Sequence, residues 1–286
     1  MPVRPIGVSL IAFDGHDLDA ALDAIAASGA THAEPAYIDG ATDFSEDDLS
    51  ETAGLTLAAR IAAAGLGCVA VSAHINNGAD GAATQLIRRL RFARALGAAF
   101  LVTNSASADR RDALTRTLAE ALPVAEACGV RIALENPGHG PTDLLHAGAD
   151  AAGLLDAIGS PWVTFNYDVC NVLTCSEGAV SPIADLADGL RRASHLHLKD
   201  VTPRDGQWRY TAIGEGSIAY ASVLPRIDRG LPLCLELPLR LVRKAGLGPM
   251  RGPVLPFQIA QAAVEASVKF VRRGFGRAEF TRRQCR

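Results

Sequence analysis

One phrase recurs along the whole chain, and it leaves few folds open. A short apolar run rich in Val, Ile, Leu or Ala ends in polar residues, and a longer Ala/Leu-rich amphipathic stretch follows. The apolar runs fall at 5–13, 31–37, 67–75, 98–104, 130–135, 162–168, 193–200 and 231–237. The amphipathic stretches fall at 18–28, 49–64, 82–96, 111–128, 149–158, 183–192, 219–228 and 256–273. Gly29, Gly65, Gly97, Gly129, Gly159 and Gly230 stand where left-handed helix caps belong. Continuous apolar strands belong to a parallel sheet covered on both faces. Their alternation with helices gives βαβ units. Eight such units in 286 residues predict an α/β fold, a (β/α)8 TIM barrel in a single domain. A doubly wound open sheet would carry a glycine-rich phosphate turn after its first strand, and the segment IAFDGHDLDA has no G-x-G-x-x-G. The barrel is expected over residues 1–274. The basic segment FGRAEFTRRQCR at 275–286 is expected to be a solvated tail.

Composition narrows the function. Lys and Arg number 28 against 31 Asp and Glu, a net charge of −3 that offers no electrostatic face for nucleic acid. Six scattered cysteines without a C-x-x-C pair make neither a disulfide scaffold nor a zinc ribbon. They read as reduced thiols of a cytoplasmic protein. No leader pattern and no run of about 18 apolar residues is present, so no membrane association is expected.

In a barrel the active site lies at the C-terminal ends of the strands. Glu34, His74, Asn104, Glu135, Asn136, Asp168, His195, His197, Lys199 and Glu236 all stand at ends of the apolar runs. Charged or imidazole groups there are costly unless paired or ligated. Glu135, Asp168, His197 and Glu236 come from four consecutive strands, spaced roughly 4.8 Å apart. They can converge on one divalent ion. Three carboxylates and one imidazole suit Mn²⁺ first, with Mg²⁺ and Co²⁺ close behind and Zn²⁺ compatible. His195, His197 and Lys199 share one strand face. His197 is nearer the mouth and is the expected ligand; His195 sits lower, as a substrate contact or a support beneath the metal. Glu34, His74 and Lys199 are the other candidate substrate-binding residues. Lys199 is suited either to a substrate anion or to pairing with Asp200 or a ligand carboxylate. His139 is a further loop candidate, and Trp208 a candidate wall of the pocket.

LENPG at 134–138, NYDVCN at 166–171, HLHLKD at 195–200, LELPLR at 235–240 and IGEGSIAY at 213–220 resemble the xylose-isomerase-like TIM barrels. Within these, the sugar phosphate isomerase/epimerase group is nearest. The resemblance implies one metal held by Glu135, Asp168, His197 and Glu236. It also implies that Glu135 and Glu236 trade a proton with a substrate carbon through a metal-stabilised enediolate. The implied function is isomerisation or epimerisation of a small sugar or polyhydroxy carbonyl compound. The alternative on the same site is a lyase or dehydratase of a keto-inositol, a dehydroshikimate-like acid or a 3-keto-glycoside. The loop ENPGHGPTD lacks the Arg and extra Glu of the tagatose and psicose 3-epimerases, and LKDVTPR replaces their acidic residue and Arg. A 3-epimerase of free ketohexoses is therefore not the expectation. The partner is a carbohydrate-like small molecule, and association into a homo-oligomer rests on family analogy. Segments 201–217 and 238–256 are expected to set specificity, the second as a lid or subunit contact.

Overall fold

The computed structural model describes residues 4–136, 143–244 and 248–284, with side chains to 276. Its main sheet contains β1 (Gly7–Ser9), β2 (His32–Glu34), β3 (Ala36–Tyr37), β4 (Ala70–Ala73), β5 (Phe100–Asn104), β6 (Arg131–Glu135), β7 (Val163–Asp168), β8 (Ala193–Leu198) and β11 (Leu233–Leu235). All pairings in it are parallel, in the order β2-β1-β11-β8-β7-β6-β5-β4-β3. The two ends of that order are one strand. Pro35 divides β2 from β3 because it has no N–H to give a ladder. Its carbonyl still accepts from Ser72 N at 3.0 Å, and Ala33 N donates to Gly67 O at 2.9 Å. The sheet therefore closes on itself as an eight-stranded parallel barrel, as the repeating pattern predicts.

The helices are α1 (Leu18–Ala27), α2 (Glu51–Ala63), α3 (Ala82–Leu96), α4 (Arg111–Cys128), α5 (Gly148–Ile158), α6 (Val169–Cys175), α7 (Pro182–Arg192), α8 (Tyr220–Val223) and α9 (Phe257–Gln284). Leu22 and Ile25 of α1, Leu57 and Ile61 of α2, and Leu86 and Leu90 of α3 are buried. Their i, i+3 and i, i+4 spacing puts each pair on one helix face, which packs on the barrel. Gly29, Gly65, Gly97, Gly129 and Gly159 have positive φ, as expected of caps; Gly230 does not. The last helix does not stop at Arg273. It runs on to Gln284, so residues 275–284 of the segment expected as a solvated tail continue α9. No helix among the described residues is long and apolar enough to cross a membrane.

Two features were not expected. The helix α6 begins directly after β7. More consequentially, segments 201–217 and 238–256 do not act as separate loops. Their strands β9 (Asp200–Arg204), β10 (Gln207–Thr211), β12 (Leu241–Lys244) and β13 (Pro249–Arg251) form one antiparallel sheet in the order β13-β12-β10-β9. The β9–β10 turn, Asp205–Gly206, takes positive φ at both residues (53° and 70°), which matches the twist of the flanking strands. Arg240 and Arg251 tie this second sheet to the first barrel loop by gripping Asp14, with Arg251 Nη2 at 2.8 Å from Asp14 Oδ2.

Behind β7 the helices α5 and α7 cross at two glycines. A Cβ on Gly148 would lie 2.2 Å from Gly189 N, and one on Gly189 would lie 2.4 Å from the Tyr167 ring. Asp185 of α7 stitches the crossing, accepting from Gly148 N at 2.7 Å and from the Tyr167 hydroxyl at 3.0 Å. Gly148→Ala is expected to cost the roughly 1–3 kcal/mol of overpacking. At about 2–4 °C per kcal/mol, that is a measurable fall in Tm. An unchanged unfolding temperature would sink this account of the crossing.

Candidate metal centre

The barrel interior is layered. Ala70, Phe100, Val102 and Ala133 form a small apolar cluster of their own. Residues two positions further along each strand face the same way. Those next positions are Ser72 on β4, Asn104 on β5 and Glu135 on β6; beyond a bulge at Phe165/Asn166 in the β7–β8 pairing, Asp168 of β7 joins them. On β8 the same face carries His195 and then His197, with the His195 ring 5.8 Å from Phe100. The polar layer thus lies above an apolar floor, toward the C-terminal ends of the strands.

One donor atom each of Glu135, Asp168, His197 and Glu236 falls within 4.8 Å of all the others, and all four residues are buried. His197 is central. Its Nδ1 lies 2.6 Å from Glu135 Oε1 and 2.8 Å from Glu236 Oε2. Its Nε2 faces the opposite way, 2.8 Å from Glu34 Oε1. A carboxylate on one nitrogen fixes the ring and leaves the other nitrogen to ligate. Glu34 is in turn held by the Ser72 hydroxyl at 2.8 Å.

Asp168 divides its two oxygens between structure and site. Oδ1 accepts from Cys170 N and Asn171 N, both at 2.8 Å, and so caps α6. Oδ2 faces the ligand set. Lys199 Nζ lies 2.8 Å from Asp168 Oδ2 and 2.9 Å from Glu236 Oε2. The ammonium is off the hydrogen-bonding directions of both oxygens, which remain buried without a directed hydrogen bond. Two such oxygens converging beside an imidazole nitrogen fit a divalent cation of hard character. The residues present match the group that the donor chemistry calls for.

Burial and charge oppose each other throughout. Burial pushes the Glu34 carboxyl up, but His197 and His195 beside it prevail and hold it at about 2. Burial pushes Asp168 up to about 6, against the pull of Lys199 and with the push of Glu135 and Glu236. For Glu236 the Lys199 and His197 charges outweigh burial and hold the carboxyl low. Burial alone would depress His197; Glu34, Glu236 and Glu135 override it and raise the imidazole well above its ordinary range. Burial lowers His195 to about 4, and it lowers His74 as well.

The expected substrate-binding residues divide. His74 alone among them lines the 640 Å³ cavity, and its Nε2 lies 3.7 Å from Glu135 Oε2, whereas Glu34 and His195 line a separate small cavity of about 20 Å³. Glu34 and His195 lie beneath His197 instead of facing the larger cavity. Their side chains sit one step lower in the barrel, where His195 Nδ1 meets Asn166 Oδ1 at 2.8 Å and its Nε2 meets Glu34 Oε2 at 3.5 Å. Lys199 pairs with Asp168 and Glu236, the second of the roles open to it. His139 lies outside the described residues. Asn166 was not singled out from the sequence, yet its amide donates to Glu135 Oε1 at 2.8 Å. Its spacing two before Asp168 was the available signal. Asn136 likewise clamps the Asp168 backbone, accepting from its N–H at 2.8 Å and donating to its carbonyl at 2.9 Å.

Relatives of known structure have the same architecture. An L-ribulose 3-epimerase superposes with a TM-score of 0.71 at 16% identity, covering 99% of this chain and 98% of that one. The D-psicose 3-epimerase of Clostridium cellulolyticum H10 gives 0.69 at 14% identity, covering 95% and 99%. An IolI protein with a bound zinc atom gives 0.68 at 15% identity, covering 96% and 99%. No curated protein matches in sequence. The sequence pattern of the family described as xylose isomerase-like TIM barrel matches residues 22–251, most of the chain. With its closed eight-stranded barrel, the chain belongs to the xylose isomerase-like TIM barrel family.

Proposed function

We propose that the chain is a divalent-metal-dependent isomerase or epimerase of a small sugar or polyhydroxy carbonyl compound. The observation that carries this reading is the convergence of Glu135, Asp168, His197 and Glu236 within 4.8 Å at the C-terminal ends of the strands. The epimerases among the structural neighbours support the same reaction class, and the zinc of the IolI protein supports a metal on this fold. Three oxygens and one nitrogen suit Mn²⁺, with Mg²⁺, Co²⁺ and Zn²⁺ as alternatives.

A bound ion would polarise a substrate carbonyl and stabilise the charge that develops on its oxygen. Glu135 and Glu236 supply the proton chemistry. Each has an oxygen within 2.8 Å of His197 Nδ1, and they approach it from different strands. One carboxylate removes the proton α to the carbonyl. The other, which must enter the cycle protonated, gives its proton to the opposite face in epimerisation; in isomerisation the first carboxyl returns the proton it took to the neighbouring carbon. Lys199 favours the ionised forms of Asp168 and Glu236, overcoming burial at Glu236 and opposing it at Asp168. His74 Nε2, 3.7 Å from Glu135 Oε2 and without a hydrogen-bond partner, is the group we assign to a substrate hydroxyl.

Thermal unfolding checks the ligand set. An ion at about a hundred times its Kd stabilises by roughly 2.7 kcal/mol, a rise of several degrees at about 2–4 °C per kcal/mol. The rise is expected over an EDTA control in wild type and should be largely lost in Glu236→Gln. No rise with Mn²⁺, Mg²⁺, Co²⁺ or Zn²⁺ would overturn the metal assignment.

The raised His197 sets the sign of the pH dependence. Metal-free, its imidazole holds a proton at neutral pH, and that proton must leave before the ring can ligate. Metal-induced stabilisation should therefore shrink as pH falls. Calorimetric titration in buffers of different ionisation enthalpy should show about one proton released per ion. Uptake without proton release would place the ion elsewhere.

The reaction is read by solvent deuterium entering recovered substrate in a screen of aldoses, ketoses and inososes. Glu135→Gln and Glu236→Gln should each cut exchange by about 10²-fold or more. Loss of water from the substrate, seen as a fall in mass, would establish a dehydratase instead.

A further inference from the structure

The 640 Å³ cavity extends away from the ligand set, toward the loops that follow β3, β4 and β5. Among its described lining residues, His74 lies 3.7 Å from Glu135, and Asn104 is the partner of Glu135 in the β5–β6 pairing. The cavity would hold about twenty waters at roughly 30 Å³ each, more than the heavy atoms of a single hexose. A lone ketohexose bound at the carbonyl end would leave much of it filled with water.

Its chemistry is specific. Asn104 and Ser105 are among its lining residues, and just behind its surface Asn104 Oδ1 and Ser105 Oγ are buried without a hydrogen-bond partner. Buried polar atoms of this kind need donors or acceptors from elsewhere. Ile38, Phe44, Ile75 and Ala106 supply apolar surface beside them. Alternating apolar and amide or hydroxyl groups match a sugar ring, which presents C–H faces and O–H edges. Charge argues against an anion. Asp39, Glu46 and Asp143 line the cavity, and the one guanidinium among the described lining residues, Arg89, is held by Glu46 at 2.8 and 3.1 Å. Lys199 does not line the cavity and is committed to Asp168 and Glu236.

We infer that the substrate of this centre carries a neutral polyhydroxylated ring beyond its carbonyl end. The substrate class is then a glycosylated ketose or a molecule of that shape, neither a free ketohexose nor a sugar phosphate. This rests on the proposed sugar chemistry at the ligand set and adds what lies beyond it.

Three probes separate the alternatives. Isomaltulose is fructose with a glucosyl group on O6, and fructose 6-phosphate carries a phosphate on the same oxygen. Calorimetric Kd values for these two and for fructose are measured on the full chain, with the stabilising divalent ion present. Isomaltulose is expected to bind at least about tenfold tighter than fructose, which at roughly 1.4 kcal/mol per decade is within reach of one buried apolar face. Fructose 6-phosphate is expected to bind no tighter than fructose. Ala79 lines the cavity at its exposed rim. Ala79→Trp should bring isomaltulose to the level of fructose, with fructose binding and Tm unchanged. Ser105→Ala should weaken isomaltulose more than fructose.

Equal affinity for isomaltulose and fructose overturns the inference, as does tighter binding of the phosphate ester. The metal-induced rise in Tm, read in parallel, tells the two readings apart. If the ion stabilises and isomaltulose gains nothing over fructose, this inference falls alone. If no ion stabilises but isomaltulose still binds and Ala79→Trp abolishes its advantage, the ring site stands and the metal reading falls.

Discussion

Four carboxylates buried around one imidazole are the constraint on which the rest of the molecule depends. Glu34, Glu135, Asp168 and Glu236 are each 2% exposed or less. Isolated in a barrel core, such groups would neutralise or unfold the protein. Here His197 is in contact with Glu34, Glu135 and Glu236, and Lys199 with Asp168 and Glu236. Two cationic groups thus serve four anions. A set still short of positive charge is poised to accept a divalent cation, whereas a fully neutral network would resist one. Buried ion pairs bring little net stability, so their presence speaks for a site.

Much of the barrel was legible in the sequence because its elements obey local rules. The ends of α3 and α4 agree with the amphipathic stretches 82–96 and 111–128, each closed by a glycine in the left-handed conformation. The second sheet was not legible in the same way. Its pairing of Gln207–Arg209 with Val242–Lys244 joins segments far apart in the chain, and no local period announces that. The Asp205–Gly206 turn was the one local sign. The helix α6 escaped because Val169–Cys175 spans only about two turns, too short to show a helical period, in the segment read as the loop after the strand ending at 168. Its cap is Asp168, a residue whose other oxygen points to the site.

The ligand set was legible for a different reason. Charged side chains at the ends of apolar strands have few innocent explanations, and consecutive strands bring them together. Height within the barrel was the missing coordinate. His195 and His197 share a face, but two residues separate them by roughly 6.6 Å along the strand. That distance moves His195 from the mouth to the layer beneath. Glu34 sits opposite Ser9 in the β1–β2 register and points to Nε2 of His197 from below. The cavity was the least legible part, because its walls come from loops whose residues follow no period.

The strand split at Pro35 has a consequence for how the molecule assembles. It is the seam of the barrel, pairing with β1 on one side through β2 and with β4 on the other through β3. Glu34, which turns the His197 ring, is the last residue before the seam. Glu135 and Glu236 hold Nδ1 of the ring, and among the described residues Glu34 alone holds Nε2. The strand that seals the sheet therefore also supplies the carboxylate that fixes the far side of the imidazole, so closure of the barrel and orientation of the ring share one structural element.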